Sequence, residues 1–83
     1  MVNELDWQAV EATIDEMVEM HTKALLKLGR RIVPTLTPED VLQPNDYPEL
    51  DGHPEFRYEE GVLAGIQAAR MALRAMKSPM SLT

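Results

Sequence analysis

PTLTPEDVLQPNDYPELDGHPEFRYEE, residues 34–60, decides how this chain folds. It holds eight acids (Glu39, Asp40, Asp46, Glu49, Asp51, Glu55, Glu59 and Glu60) against one base, Arg57, and five of the chain's six prolines. Each proline fixes φ and removes a backbone donor, so no long helix or central strand can pass through. The stretch is nevertheless rich in apolar residues for a linker: Leu36, Val41, Leu42, Tyr47, Leu50 and Phe56 recur through it. A disordered segment lacks that apolar content, so the sequence predicts an ordered connector that folds back on its neighbours. Thr37-Pro38-Glu39-Asp40 reads as a cap, a proline at the first helical position and acids in the first turn, which predicts one short helical turn. Asn45-Asp46-Tyr47-Pro48-Glu49-Leu50 predicts a second turn, and Asp51-Gly52-His53-Pro54 a third break in the chain.

Helical periodicity flanks this connector on both sides. Upstream, Trp7, Val10, Ile14, Met17, His21, Ala24 and Leu28 recur at alternating spacings of 3 and 4, with Val18, Leu25 and Ile32 widening the stripe. Asn3 as cap, Asp6 as the carboxylate reaching back and Val2 with Trp7 as staple place the start near Glu4. Pro34 disfavours the helical region for Val33, so the first helix is expected over about residues 4–32. Downstream, the second is expected over about 55–77, ended by Ser78-Pro79, with a flexible tail over 78–83. Gly61, Ala64, Gly65, Ala68, Ala69, Ala72 and Ala75 make one side of it a groove of small residues, expected to receive the larger side chains of helix 1. Gly61 and Gly65 have the spacing of a membrane dimer motif, but Gln67, Arg70 and Arg74 interrupt any apolar span.

Charge orients the two helices. An antiparallel hairpin brings Glu11, Asp15 and Glu19 beside Arg70, Arg74 and Lys77, and Lys27, Arg30 and Arg31 beside Glu59 and Glu60, whereas a parallel pair places like with like. The expected fold is therefore a single all-α domain, an antiparallel helical hairpin with an ordered Pro-rich connector containing one or two short helical turns. Helix 1 carries more apolar width than one neighbour covers, which predicts a homodimer assembled as a four-helix bundle. A chain of 83 residues buries a modest fraction of its surface, and a partner chain adds to it.

Function is less legible. The chain has no cysteine, and its only serines are Ser78 and Ser81, so thiolate zinc sites, disulfides and nucleophilic catalysis lack their residues. The expectation is that it is not an enzyme and holds no cofactor or metal. His21 on an apolar seam is the sharpest ligand candidate, yet Met17 and Val18 stand where a di-metal bundle places a glutamate. Aligning Gly52 to the glycine of a calcium loop puts Tyr47 first and Tyr58 last, where acids are required. Asp46, Tyr47, Glu49, Asp51, Phe56 and Tyr58 combine acids with aromatic anchors, the composition of a docking surface for a basic protein partner. A net charge of −6 disfavours nucleic acid and anionic membranes, and the N-terminus lacks a signal-peptide pattern, so a soluble cytoplasmic protein is expected. The sequence favours a protein–protein interaction or accessory module that self-associates; the alternative is a helical-bundle metal or small-ligand binder using His21 or the acids.

Overall fold

The computed structural model describes residues 6–43 and 46–77. Every regular element among them is helical: α1 (Trp7–Ile32), the short turns α2 (Pro38–Val41) and α3 (Pro48–Asp51), and α4 (Pro54–Lys77). α1 and α4 pack along each other. Ion pairs Glu11–Lys77 at 2.9 Å and Asp15–Arg70 at 3.2 Å, with Arg74 reaching both acids, fix the orientation as antiparallel.

The ends of the elements follow from their caps. Asp6 is extended, and its carboxylate accepts from the N–H groups of Gln8 and Ala9, so it is the N-cap of α1 and the helix begins at Trp7. This corrects the expected start near Glu4, in which Asp6 is a helical residue reaching back; Asn3 and Val2 lie outside the described residues. α1 ends at Ile32 as expected, and Gly29 does not interrupt it. Thr37 and Asp40 form a reciprocal capping box on α2: the Thr37 hydroxyl accepts from the Asp40 N–H at 3.2 Å, and the Asp40 carboxylate accepts from the Thr37 N–H at 3.0 Å. Pro48 opens α3 and Pro54 opens α4, each at the first helical turn, where a missing donor costs nothing. The expected tail, 78–83, lies outside the described residues.

The core sits at the connector end of the hairpin. Its buried members are Leu25 and Leu28 of α1, Leu36, Val41 and Leu50 of the connector, and Phe56 and Leu63 of α4. The connector is therefore a clasp: its three apolar side chains close the cavity that two helices alone would leave open. The Arg30 side chain ties it down from outside, donating from Nε to the Leu36 carbonyl at 2.8 Å.

Gly29 sets how close the clasp can come. A methyl group on it would lie 2.5 Å from Leu36 Cδ2 and 3.3 Å from the Phe56 ring. Helix 1 thus gives up its own propensity at one position to admit two buried side chains.

The small-residue side of α4 does not face α1, contrary to expectation. Gly61, Ala64, Gly65, Ala68, Ala69 and Ala72 are exposed, and α4 turns Phe56, Leu63, Ile66, Arg70 and Leu73 toward α1 instead. Bulky residues bury more apolar area per turn than Gly or Ala, and this rotation also lets Arg70, Arg74 and Lys77 reach Glu11 and Asp15. Glu19 pairs with Lys23 on its own helix, and Glu60 with Arg57, so those two acids do not bridge the helices as expected.

Gly29 and Gly61 separate propensity from packing. Nothing lies within 4 Å of a methyl group on Gly61. Gly61→Ala is expected to stabilise by about 0.5–1 kcal/mol through helix propensity. Gly29→Ala gains the same term but overpacks the clasp by about 1–3 kcal/mol, so it should melt at lower urea than the parent protein. Equal stabilisation by both substitutions in urea melts refutes the seating of Leu36 on Gly29.

Candidate interaction surface

The hairpin has two unequal halves. Among the described residues, every buried hydrophobic one belongs to positions 25–63. Residues 7–24 of α1 and 64–77 of α4 contain no buried residue at all, although α1 alone extends there by about 27 Å. This far half is a bare two-helix prong, held by the ion pairs of Glu11 and Asp15 with Arg70, Arg74 and Lys77. Exposed pairs of this kind are worth about 0.2–1 kcal/mol each, too little to order two helices.

Its two broad sides differ in chemistry. On one, near the clasp, Val41 and Leu42 lie over Leu25, Leu63 and Gln67, lining a shallow groove of about 170 Å³. No other described residue covers the opposite side. There α1 presents Val10, Thr13, Met17, Met20 and Ala24, spaced 3, 4, 3, 4, and α4 presents Tyr58, Val62, Gly65, Ala69, Ala72 and Met76, spaced 4, 3, 4, 3, 4. At about 100° per residue the α1 row lies roughly a quarter of a turn from Leu25 and the α4 row roughly two-fifths of a turn from Leu63, in the same sense on both helices. In an antiparallel pair that sense is one and the same side. A cavity of about 360 Å³ agrees with this placement, lined by Ala9, Val10, Thr13, Ile14 and Met17 of α1 together with Leu73 of α4. Between the rows lie half-buried Ile14, His21, Ile66 and Leu73. No Asp, Glu, Lys or Arg occurs among these fifteen positions, and half-buried Glu59 continues the line of Ile66 and Leu73 at the clasp end. Tyr58 and Met76 are both 68% exposed, at opposite ends of the α4 row.

A second regular seam on each helix, displaced to one side of the first, is what a bundle of four helices requires, because each helix there touches two neighbours. Gly65, Ala69 and Ala72, part of the small side of α4, belong to this second seam. The expectation that the small side meets α1 of the same chain fails because periodicity alone does not say which of two uncharged stripes faces that helix.

The acidic surface expected in the connector is partly dismantled. Phe56 is fully buried, with its ring against Gly29, and so is unavailable as an anchor for a partner. Asp51 bonds Arg57 at 3.4 Å. Asp46 and Glu49 are exposed, and Tyr58 lies on the α4 row described above. Tyr47 is half-buried against the core, and its hydroxyl donates to the Asp40 carboxylate. His21 is half-buried on the open side and makes no hydrogen bond or ion pair among the described residues. No group of three or more His, Asp or Glu that would hold a metal ion occurs among the described residues. The second histidine, His53, has a structural part that sequence reading overlooked: its Nδ1 accepts from the Phe56 N–H at 3.3 Å, capping α4. Pro54 at the first helical position was the available signal, since the residue before such a proline is the cap.

Asp40 and Tyr47 make the clasp sensitive to pH at both extremes. The Thr37 N–H, then the Thr37 hydroxyl, hold the Asp40 carboxyl below the usual carboxylate range, with the Tyr47 hydroxyl adding to the effect. The hydrogen bond to Asp40, with burial and the charges of Asp40, Asp46 and Glu49, pushes the Tyr47 phenol above its usual value. A depressed carboxyl stabilises the fold above its unfolded pKa of about 4, and this contribution disappears as pH falls through the folded value. A raised phenol stabilises below its unfolded pKa of about 10 and stops doing so as pH rises through the folded value.

No protein-family model, curated protein or solved structure matches this chain. No helix among the described residues is long and apolar enough to cross a membrane.

The stability difference between the parent protein and Asp40→Asn is expected to be constant from pH 5 to 8 and to shrink below about pH 4. Urea melts across that range check it; a difference unchanged at pH 3 removes the carboxylate from the capping box.

Proposed function

We propose that this chain is a self-associating helical interaction or accessory module, whose prong finishes folding against a partner in a four-helix bundle. Its chemistry is recognition through apolar burial, not catalysis. One observation supports this above the others: the prong has two uncharged seams and no buried residue, so half of each long helix lacks the core that orders the other half. Isolated helices of that length are marginal in water and gain stability mainly from packing of an apolar face.

The acids Asp46 and Glu49 of the connector remain exposed and lie off both helix rows. They favour a basic protein as the further partner of the assembled module, through approach rate more than affinity. The position of the chain in the cell follows from neither surface, and a cytoplasmic setting stays part of the proposal.

Self-association is tested by dilution. Light scattering at tens of micromolar should give twice the mass of the chain, and helicity by circular dichroism should fall on dilution as the prongs separate. A monomer of one chain mass with full helicity at low micromolar concentration refutes the proposal.

A further inference from the structure

We infer that the occupant of the open side is a second copy of this chain, related by a two-fold axis that runs along the helices, so that α1 of each subunit lies against α4 of the other. The inference rests on the self-association proposed above and specifies the face and the orientation.

Area supports a partner of this size. The chain exposes 6155 Å². A compact monomer of 9.4 kDa exposes about 5,000 Å². The excess, about 1,150 Å² over the whole chain, is more than the roughly 800 Å² that each side contributes to a standard interface, so the chain has surface enough to share with a partner. The molecule is also elongated, 49 × 28 × 20 Å, with the open side along its greatest length.

Register selects the orientation. Within the chain, ion-paired residues of α1 and α4 have numbers that sum to between 85 and 89, which defines equal heights along the prong. An axis along the helices preserves height, so each subunit's α1 row meets the other's α4 row at the same sums. Met17 then meets Ala69 of the partner subunit, Met20 meets Gly65 of the partner subunit, and Ala24 meets Val62 of the partner subunit. Each of these three layers joins one larger residue to one smaller, the condition for interdigitated packing. An axis across the helices instead sets the two α1 rows together and the two α4 rows together. Met17 and Met20 would then face methionines, Gly65 and Ala69 would face each other, and Val10 would come opposite Lys27.

Charge works mildly against the chosen orientation, because it gathers both acidic connectors at one end of the bundle. That repulsion is screened over about 8 Å at physiological ionic strength, whereas apolar burial is not, so packing decides. Added salt is therefore expected to strengthen the dimer.

The absence of native cysteine makes the test clean. Met17→Cys/Ala69→Cys should form a covalent dimer under mild oxidation, seen on non-reducing gels, while neither single substitution does. Gly65→Cys/Ala69→Cys should stay uncrosslinked between subunits, and efficient crosslinking there overturns the orientation. Ala69→Glu should weaken the dimer by about a hundredfold or more, by burying an unpaired charge. Ala68→Glu, one residue round the helix and off the open side, should leave it intact. A dimer that persists in Ala69→Glu, together with no crosslink in the Met17→Cys/Ala69→Cys variant, overturns the face while leaving self-association standing. A parent protein that is monomeric at all concentrations removes both.

Discussion

The seat of Leu36 and Phe56 on Gly29 is the contact from which the rest of the fold follows. It brings the connector onto α1 one turn before that helix ends, and it places the first turn of α4 on the same patch. Once these three meet, Leu50 and Val41 have an apolar surface to cover, and Leu25, Leu28 and Leu63 complete the enclosure. The direction of α4 is then fixed, and the two long helices run back along each other. Pro34 follows the end of α1 where the chain has to turn, and each short turn has its own proline at the start.

A clasp of this kind solves one problem and leaves another. It gives a chain of 83 residues a core with seven buried apolar side chains, which a bare helical hairpin lacks. It does so at one end only. The other end is joined by ion pairs that choose a direction more than they stabilise it, and Arg70 Nε there is buried without a hydrogen-bond partner among the described residues. The fold is thus a folded knot of core with a prong attached, and the open side of that prong carries no fixed charge from Val10 to Ala24 or from Gly65 to Met76.

The elements are legible in the sequence because their signals are local. Thr37-Pro38 announces a cap and a first turn, Pro34 stops α1 at Ile32, and the 3–4 spacing from Trp7 to Leu28 marks an amphipathic helix. Charge order carries the antiparallel orientation, since Glu11 and Asp15 have only one arrangement that meets Arg70, Arg74 and Lys77. What is not legible depends on rotation about the helix axis. α4 has a bulky stripe through Phe56 and Leu63 and a small stripe through Gly65 and Ala72, and either fits a hairpin by period alone. Phe56 misleads for a related reason: beside Arg57 and Tyr58, among acids, it looks like a surface anchor. Its burial follows from Gly29, which lies 27 positions away and is linked to it by nothing in the local pattern.

The second stripe acquires meaning only when both helices are considered together. On α4 alone, a row of Gly and Ala has little to bury. On α1 alone, Met17 and Met20 are exposed methionines of a common kind. Side by side on one face of an antiparallel pair, they have complementary sizes at equal heights, with no charge between. Neither row can use that complementarity inside one chain, because both point the same way. A surface presenting the opposite order from above can use it, and the proposed second copy of the hairpin, turned about the long direction of the helices, would present it at the layers of Met17, Met20 and Ala24.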